Sequence, residues 1–530
     1  ITTLPEPLAQ SVVFVFWTGE ELGHFGSRHY VREPRWPLAR TAVYINLDMI
    51  AHPWRPEELA ALVADAVALV ADVVALLLAF VALTAAAEAD VEAAYQAASA
   101  AFPLWSKMSV DARSAILSKI ADLIDQQLDE LAHAEALDNG KPLKLAKHVD
   151  IPRASSNMRF FAHAITQFSS ESHFMEHEPA INYTLRRPYG VVGCISPWNL
   201  PLYLFSWKIA PALAAGNCVI AKPSEITPYT ASLLGQIATE AGLPAGVLNV
   251  LHGTGPEIGN AIVAHPSIKA ISFTGGTATG EHIARIAAPM FKKLSLELGG
   301  KNPTLIFPDV DIEQTVKEVF RSSFSNQGQI CLCGSRILVH EKIYDAFKTA
   351  FVRWVESAIV SYPSDPKAQI GAVVSKGHMD KILGYIELAK EEGGRILTGG
   401  VRVHLEAPYQ DGYYLAPTVI EGLPNTCRTN QEEIFGPVVS LMAFSSEEQA
   451  LDWANDTKYG LAASVWTKDL NIAHRMADRL EMGIVWVNSW LVRDLRTPFG
   501  GMKDSGVGRE GGWEALSFFT EPKNIFIKYE

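Results

Sequence analysis

Val191-Val192-Gly193-Cys194-Ile195 is a short apolar run that is followed by a stretch of helical character. Three more runs of this kind occur farther along the chain, at residues 218–221, 247–251 and 270–273. Such runs are typical of strands buried on both faces, and their alternation with helices is typical of parallel βαβ units. The sequence therefore predicts an α/β fold built on a parallel sheet.

Polar residues and glycines follow these runs where the predicted strands end. Asn199 comes after the first run, Lys222 and Glu225 after the second, and Gly275 and Gly276 after the fourth. In parallel sheets, ligands bind beyond the carboxyl ends of the strands, where the strand order reverses. These residues are therefore candidates for a common binding site.

The loop after the fourth run, Gly275-Gly276-Thr277-Ala278-Thr279-Gly280, opens a predicted helix. Backbone N–H groups at a helix N-terminus could hold a pyrophosphate. The loop lacks the GxGxxG spacing of the common dinucleotide fingerprint. Taken alone, it fits a plain turn equally well.

The candidate nucleophile is Cys331, which ends the polar stretch Phe324-Ser325-Asn326-Gln327-Gly328-Gln329-Ile330-Cys331. Upstream lie Glu297-Leu298-Gly299-Gly300-Lys301 and Pro197-Trp198-Asn199. A thiol, a carboxylate and an amide are the groups needed to attack a carbonyl, activate a water and stabilise an oxyanion. Cys194 and Cys218 lie in apolar runs, where a cysteine usually serves as a small hydrophobic residue.

These three motifs, in this order, resemble those of the NAD(P)-dependent aldehyde dehydrogenase superfamily, from about residue 89 to the C-terminus. The resemblance implies an aldehyde dehydrogenase-like α/β fold with a Rossmann-type cofactor domain, an α/β catalytic domain and a small β oligomerisation arm. The expected divisions are an atypical N-terminal segment (1–87), an NAD-binding domain (88–298, with its arm at about 170–188), a catalytic domain (299–500) and a C-terminal return with an oligomerisation strand (501–530).

The resemblance also implies a mechanism in which Cys331 is the nucleophile, because Cys333 has the wrong spacing from Gly328. The Cys331 thiolate would add to an aldehyde, and the Asn199 side chain and the Cys331 N–H would stabilise the oxyanion. After hydride transfer to the cofactor, Glu297 would activate water to hydrolyse the thioester to a free acid. A non-catalytic protein of the same fold is an alternative, against which the three intact residues argue.

Cofactor contacts follow from the same resemblance. Lys222 and Glu225 would contact the adenosine ribose, where a carboxylate repels a 2′-phosphate and so favours NAD over NADP. Gly275, Gly276 and Thr277 would border the pyrophosphate, although relatives commonly have a serine in place of Gly276.

The nicotinamide end of the cofactor would lie near Glu433-Ile434-Phe435-Gly436-Pro437. By resemblance, Glu433 would bind the ribose and Phe435 would border the ring, with Trp198 as a further cofactor contact. Taken alone, this string would be a turn before a strand at residues 438–443.

Two arginines narrow the substrate class. Arg493 lies in the segment before the Pro-Phe-Gly-Gly turn, and Arg153 lies at the start of a predicted helix. With the cysteine motif, they resemble the 2-aminomuconate and 2-hydroxymuconate semialdehyde dehydrogenases, in which arginines at these positions hold a substrate carboxylate. The alternatives are that Arg493 and Arg496 pair with Asp494 or are solvent-exposed, and that the enzyme is a general aldehyde dehydrogenase of broad specificity.

Residues 1–55 resemble a different protein, a fragment of the M28 zinc aminopeptidases. Glu20 would be the general base, and Glu21 and Asp48 would be metal ligands. Further ligands of that family have no counterpart here, and an Ala/Val/Leu-rich tract follows. We therefore expect residues 1–87 to be a fusion remnant, an artefact of sequence assembly or an imperfectly assigned segment. A zinc aminopeptidase is a remote alternative, and we expect no metal in the dehydrogenase site.

Composition excludes some partners. The net charge of −13 provides no electrostatic footprint for nucleic acid or an anionic membrane. The uninterrupted apolar run at residues 73–87 is shorter than the roughly 20 residues that a membrane span needs. Few, irregularly spaced cysteines indicate a reducing compartment, which makes the cytoplasm the expected location. An alternating C-terminal strand at residues 523–529 would pair across subunits, so a homodimer or homotetramer acting on a small aldehyde is expected.

Overall fold

The computed structural model describes residues 88–529, and the apolar runs near residue 191 form a six-stranded sheet within it. The four predicted strands are present, each within two residues of its expected ends, which confirms the α/β fold. Strand residues in the centre of the sheet are all buried because helices cover both faces. In spatial order the strands are Gly506–Val507, Lys293–Glu297, Ala270–Thr274, Val191–Ile195, Cys218–Lys222 and Leu248–Val250.

The sheet reverses its strand order next to Val191–Ile195. The chain continues from this strand to Cys218–Lys222 on one side and later adds Ala270–Thr274 on the other, with all three parallel. A crevice at the carboxyl end is the expected result. The residues that follow Ile195 and Thr274 therefore lie side by side.

A seven-stranded sheet begins shortly after Glu297. Its strands are parallel except for the edge strand Arg395–Thr398, which runs antiparallel to its neighbour. In spatial order they are Arg395–Thr398, Thr418–Glu421, Val438–Phe444, Gly334–His340, Asn302–Ile306, Ala462–Trp466 and Ile484–Val487. Two-stranded pairs join Arg402–Val403 to Tyr414–Leu415 and Tyr459–Gly460 to Met502–Lys503.

A third, three-stranded sheet is antiparallel and largely exposed. Ala180–Pro188 is its central strand, between Ser172–Met175 and the C-terminal strand Thr520–Lys528. The C-terminal strand was expected to pair across subunits; in the structure it pairs instead with Ala180–Pro188 of the same chain over nine residues, from Ala180 with Lys528 to Pro188 with Thr520.

The N-terminal helices of the described chain pack on the first sheet. Glu88–Lys107 buries Val91, Ala98 and Trp105 in the same core as the strands. The next two helices, Val110–Gln126 and Leu128–Asn139, are separated by non-helical backbone at Gln127. Gly140 ends the second of these in the left-handed conformation, with φ 86°, which glycine adopts readily.

Further helices surround the two large sheets. They are Leu143–Leu145, Ile151–Ala164, Pro201–Ala214, Tyr229–Glu240, Asn260–Ala264, Thr277–Ala287, Ile312–Phe324, Tyr344–Glu356, Lys376–Glu391, Arg428–Gln431, Glu447–Asn455, Leu470–Arg479 and Gly512–Phe518. Within residues 88–529, none of the helices has the length and hydropathy that crossing a membrane would require.

Candidate active site

Cys331 follows a turn of strained backbone at the end of helix Ile312–Phe324. Asn326, Gln327 and Gly328 all have positive φ, at 52°, 57° and 69°. A Cβ on Gly328 would lie 2.2 Å from the carbonyl oxygen of Gly436, so only glycine fits there. Such strain is found mainly where the surroundings impose it, often at functional sites.

Hydrogen bonds fix the chain around the cysteine. Asn302 Nδ2 donates to the carbonyl oxygens of Cys331 at 2.6 Å and Cys333 at 2.9 Å. The Gln327 side chain donates to Ala372 at 2.9 Å. The position of the thiol is therefore set from two sides of its turn.

Cys331 borders two cavities. The first, here called the reactive pocket, has a volume of 140 Å³ and is lined mostly by apolar residues, together with Glu297 and Arg493. The second, the cofactor-side cavity of 20 Å³, contains Glu433 and Phe435. The thiol thus separates the predicted substrate residues from the predicted nicotinamide residues.

Glu297 ends the strand Lys293–Glu297 and is almost completely buried in the reactive pocket. Its Oε1 has no hydrogen-bond partner. Burial, together with the negative charge of Glu510, raises the pKa of Glu297 well above its usual value. A carboxylate with a raised pKa, in the same pocket as a thiol, is a stronger base than an exposed glutamate.

Asn199 lies behind the cysteine turn. Its Nδ2 donates to the carbonyl oxygen of Gln329 at 2.8 Å, which leaves its second N–H. The backbone carbonyl oxygen of Asn199 accepts hydrogen bonds from Lys141 Nζ at 3.1 Å and from Asn326 Nδ2 at 2.9 Å. Asn199 is buried, and its neighbour Leu200, rather than Asn199, lines the reactive pocket.

The thiol of Cys331 needs a base. Burial and the nearby Glu297 and Glu433 raise its pKa, while Arg493 acts in the opposite direction. Cys194 and Cys218, whose pKa values burial raises to about 12, lie in the core strands as expected.

A buried ion pair that the sequence did not predict acts electrostatically on Glu297. Lys208 Nζ donates to Glu510 Oε1 at 2.8 Å and to the Ser272 hydroxyl at 3.1 Å. Lys208 lies in helix Pro201–Ala214, every residue of which is buried. A lysine in such an apolar helix is the signal that could have found the pair, because a buried charge requires a partner.

Arg493 is held between two rings in the wall of the reactive pocket. Its guanidinium carbon lies 4.2 Å from the centroid of Trp207 and 3.9 Å from that of Phe499. Nη1 donates to the Tyr203 hydroxyl at 3.2 Å, whereas Nε and Nη2 are buried without a partner. Asp494 pairs instead with Arg496 at 2.6 Å. The expected alternative, an ion pair with Asp494, therefore applies to Arg496 and not to Arg493.

Arg153 belongs to a larger opening on the same side. This outer pocket has a volume of 840 Å³ and includes Arg153, Arg493 and Val149 in its lining. The Arg153 guanidinium lies 5.7 Å from the centroid of the Tyr203 ring. Both predicted substrate arginines therefore flank Tyr203. Arg493 lines both pockets, and Arg153 lines the outer one.

The predicted adenosine residues lie at the end of strand Cys218–Lys222. Lys222 is buried and donates to Glu225 Oε2 at 3.0 Å and to the Pro223 carbonyl at 3.0 Å. The Glu225 carboxylate is 43% exposed. It is therefore accessible to a ligand on the carboxyl side of the sheet.

Gly275 and Gly276 differ in whether a side chain could replace the glycine hydrogen. A Cβ on Gly275 would lie 2.4 Å from the Phe273 ring, whereas a Cβ on Gly276 would meet nothing within 4 Å. Gly276 is the N-cap of helix Thr277–Ala287, with φ −69°, and no side chain caps this end. Backbone N–H groups at an uncapped helix N-terminus suit an anion such as pyrophosphate.

Three aromatic rings meet on the cofactor side. Trp198 contacts Phe435 edge-on at 5.3 Å and His378 at 5.1 Å. His378, which the sequence reasoning missed, lies 2.7 Å through Nε2 from the Phe435 carbonyl, and burial lowers its pKa to about 4. Glu433 Oε1 accepts a hydrogen bond from the Gly300 N–H at 2.9 Å.

These residues fit a dinucleotide. The open helix N-terminus, the accessible carboxylate beside a buried lysine and the aromatic group near Cys331 all lie on the carboxyl side of the first sheet or at its border with the second. The chain matches the model of the aldehyde dehydrogenase family over residues 79–525.

The chain belongs to the aldehyde dehydrogenase family. The predicted enzyme class and cofactor are thereby confirmed: this family member is an NAD-dependent oxidoreductase that acts on an aldehyde group.

Individual relatives of this aldehyde dehydrogenase support the assignment. The 2-aminomuconic semialdehyde dehydrogenase of Mus musculus is 51% identical over 441 residues, covering 83% of this chain and 91% of the relative. The 2-hydroxymuconic semialdehyde dehydrogenase of Pseudomonas sp. (strain CF600) is 47% identical over 443 residues, with coverage of 83% and 91%. The NAD+ complex of an aldehyde dehydrogenase from Bacillus cereus has a TM-score of 0.82 and 40% identity, covering 84% of this chain and 90% of that one.

The model of peptidase family M28 also matches, over residues 2–136. Its range overlaps the dehydrogenase match, and the helices from residue 88 onward pack into the core of the aldehyde dehydrogenase. The predicted peptidase residues Glu20, Glu21 and Asp48 lie outside the described residues. Residues 88–529 contain no cluster of His, Cys, Asp or Glu suited to a metal ion.

Proposed function

We propose that this enzyme oxidises a semialdehyde that carries a carboxylate, such as 2-aminomuconate or 2-hydroxymuconate semialdehyde. The main support is that one edge of the Arg493 guanidinium has no hydrogen-bond partner. Arg493 lines the same pocket as Cys331. Nε and Nη2 form the fork that binds a carboxylate bidentately, and a buried guanidinium gains most from such a partner. The names of the Mus musculus and Pseudomonas relatives support this substrate class.

Arg153 would add a second positive charge at the wider end of the substrate path. It lies in the outer pocket, which shares Arg493 and Val149 with the reactive pocket. A substrate with its aldehyde at Cys331 would extend past Arg493 toward Arg153.

In the proposed reaction, the Cys331 thiol gives its proton to water, and the resulting thiolate attacks the aldehyde carbon. The remaining Nδ2 hydrogen of Asn199 and the Cys331 N–H stabilise the oxyanion, and one such donor can contribute about 3 kcal/mol. When bound, NAD supplies the acceptor for the hydride that leaves the carbon. Glu297 then takes a proton from water, which attacks the Cys331 thioester and releases a carboxylic acid.

The proposed cofactor contacts follow the chain across the carboxyl side of the first sheet. Lys222 and Glu225 would bind the adenosine ribose. Gly275, Gly276 and Thr277 would border the pyrophosphate. Glu433, Phe435 and Trp198 would hold the nicotinamide end near Cys331. This role is supported for Glu433 and Phe435 by their place in the lining of the cofactor-side cavity, and for Trp198 by its contact with Phe435.

We further propose a homodimer or homotetramer in the cytoplasm. The three-stranded sheet exposes apolar side chains at Phe174, Phe526 and Ile527, which another subunit could cover. All five cysteines are free thiols, which suits a reducing compartment.

The test is NADH formation by the purified full chain with NAD and either 2-hydroxymuconate semialdehyde or acetaldehyde. We expect kcat/KM to favour the semialdehyde by at least about a hundredfold, and Cys331→Ser to abolish both activities. Arg493→Met should reduce the semialdehyde reaction by about a hundredfold because a charge-assisted pair is lost. Arg496→Met is the matched control, because Arg496 lies in the same segment but is paired with Asp494. It should change the kcat/KM for the semialdehyde by less than about threefold. Equal turnover of both aldehydes would instead support a dehydrogenase of broad specificity.

A further inference from the structure

The reactive pocket has a small set of unsatisfied polar groups. Among its described lining residues, four have buried polar atoms without a hydrogen-bond partner: Asp150 Oδ1, Thr274 Oγ1, Glu297 Oε1 and the Nε and Nη2 atoms of Arg493. The proposed reaction uses Glu297 and Arg493. Thr274 pairs in register with Glu297 and belongs to the catalytic end of the pocket. Asp150 has no role in the proposed reaction.

The two oxygens of the Asp150 carboxylate differ in their hydrogen-bond partners. Its Oδ2 is bound by Lys141 Nζ, and both side chains are fully buried. Lys141 also reaches the Asn199 carbonyl at 3.1 Å and Glu135 Oε1 at 3.6 Å. Lys141 therefore neutralises and orients one side of Asp150, while the other oxygen, Oδ1, remains an unused acceptor.

Asp150 lies on the side of the reactive pocket where the substrate carboxylate is proposed to bind. It ends the π-helical turn Ala146–Asp150, directly before the helix Ile151–Ala164 that carries Arg153. Its neighbour Val149 lines both the reactive and the outer pocket, as does Arg493. Asp150 thus lies in the part of the pocket wall where the two cavities meet.

We propose that Asp150 Oδ1 accepts a hydrogen bond from a hydroxyl or amino group on the carbon next to the substrate carboxylate. This inference rests on the proposed function, because Arg493 must hold that carboxylate. Since Lys141 already pairs with the Asp150 carboxylate, the free oxygen suits a neutral donor. A site built to hydrogen-bond a substituent rejects the analogue that lacks it, because its buried acceptor is then left unpaired. Asp150 would therefore set a preference for semialdehydes substituted at carbon 2.

The test compares two saturated substrates that differ in one group, 6-oxohexanoate and the enantiomers of 2-hydroxy-6-oxohexanoate. For the wild-type enzyme with NAD, we expect kcat/KM to favour one hydroxylated enantiomer by about tenfold or more, the scale of one hydrogen bond to a charged acceptor. In Asp150→Asn, the amide oxygen should turn toward Lys141 and present an N–H donor to the pocket. The hydroxyl can then only accept a neutral hydrogen bond from this N–H in place of the charge-assisted one, so the ratio should fall several-fold from the wild-type value.

Glu135→Gln is the matched control. Glu135 contacts the same lysine and is equally buried, but it does not line the reactive pocket. This variant should keep the wild-type ratio. Loss of the ratio in both variants would assign it to the integrity of the Lys141 cluster and would overturn a direct contact from Asp150.

A measurement on the wild-type enzyme alone covers the case in which Asp150→Asn does not fold. As inhibitors competing with the aldehyde, the enantiomers of 2-hydroxyadipate are compared with adipate, and one should bind about tenfold more tightly. Equal inhibition, or equal turnover of both semialdehydes, would overturn the inference while leaving the carboxylate site intact. A failure of the proposed function would differ, since 6-oxohexanoate would then be no better a substrate than acetaldehyde.

Discussion

Tyr203 and Arg493 are joined by a hydrogen bond of 3.2 Å from Nη1 of the arginine to the tyrosine hydroxyl. The bond turns one edge of the guanidinium toward the protein and leaves the other edge, Nε and Nη2, without a partner. Trp207 and Phe499 hold its two faces. The arginine is thus preorganised for a planar anion before a substrate arrives.

Tyr203→Phe should weaken binding of a carboxylate-bearing semialdehyde. Without the hydroxyl, Arg493 loses one fixed contact, and the net loss of about 1 kcal/mol expected for one hydrogen bond corresponds to a rise in KM of about fivefold. The KM for acetaldehyde, which has no carboxylate, should change by less than about twofold. Steady-state kinetics with both aldehydes provides the check, and an equal change for both would argue against an orienting role.

Gly276 should accept a serine. A Cβ there meets nothing within 4 Å and φ is −69°, so Gly276→Ser should leave the melting temperature within about 2 °C. The new hydroxyl beside the helix N-terminus can donate a hydrogen bond to a pyrophosphate oxygen, so the KM for NAD should fall by a few-fold. Gly275→Ala is the matched contrast, since its Cβ would lie 2.4 Å from the Phe273 ring. An unchanged melting temperature in Gly275→Ala would contradict this account.

The sequence predicted the strands of the first sheet well because their signal is local. Runs such as Val191–Ile195 are apolar at every position, as burial on both faces requires. The break between Val110–Gln126 and Leu128–Asn139 was not predicted, because both segments are helical in pattern and the interruption is one residue of non-helical backbone at Gln127.

The candidate site was predicted in part. Cys331, Glu297 and Glu433 belong to motifs, and the fold brings them around two adjoining cavities. Tyr203 and Asp150 could not be predicted, because their contacts join segments far apart in the chain. Nothing in the local pattern states that Asp150 faces Lys141 or that Tyr203 meets an arginine 290 positions away.

Removing Lys141 should destabilise the enzyme. Lys141→Met leaves the buried carboxylates of Asp150 and Glu135 without their shared cation, and breaking such a cluster costs about 3–5 kcal/mol. Lys147→Met is the control, because Lys147 pairs with Asp129 at the surface and should contribute less than about 1 kcal/mol. Urea unfolding of both variants measures the difference. Equal midpoints would mean that the cluster does not contribute to stability.

Glu297 should determine the acid limb of the pH profile. As a base it must be ionised, and burial with the charge of Glu510 raises its pKa well above that of an ordinary carboxyl group. The kcat should therefore fall as the pH drops through this raised pKa, at a higher pH than a solvent-exposed glutamate would give. Glu510→Gln removes a negative neighbour and leaves Lys208 without its anion, so both changes favour ionised Glu297 and the limb should shift to lower pH.

Glu297→Gln separates this assignment from other titrating groups. Without the base, hydrolysis of the Cys331 thioester should slow by about 10²–10⁴-fold. NADH release should then show a burst of about one equivalent per site followed by a slow phase, and mass spectrometry of the quenched protein should find the acyl group on Cys331. A reduced burst with no acyl-enzyme would mean that Glu297 acts before the thioester forms, as the base for the Cys331 thiol, whose pKa burial also raises.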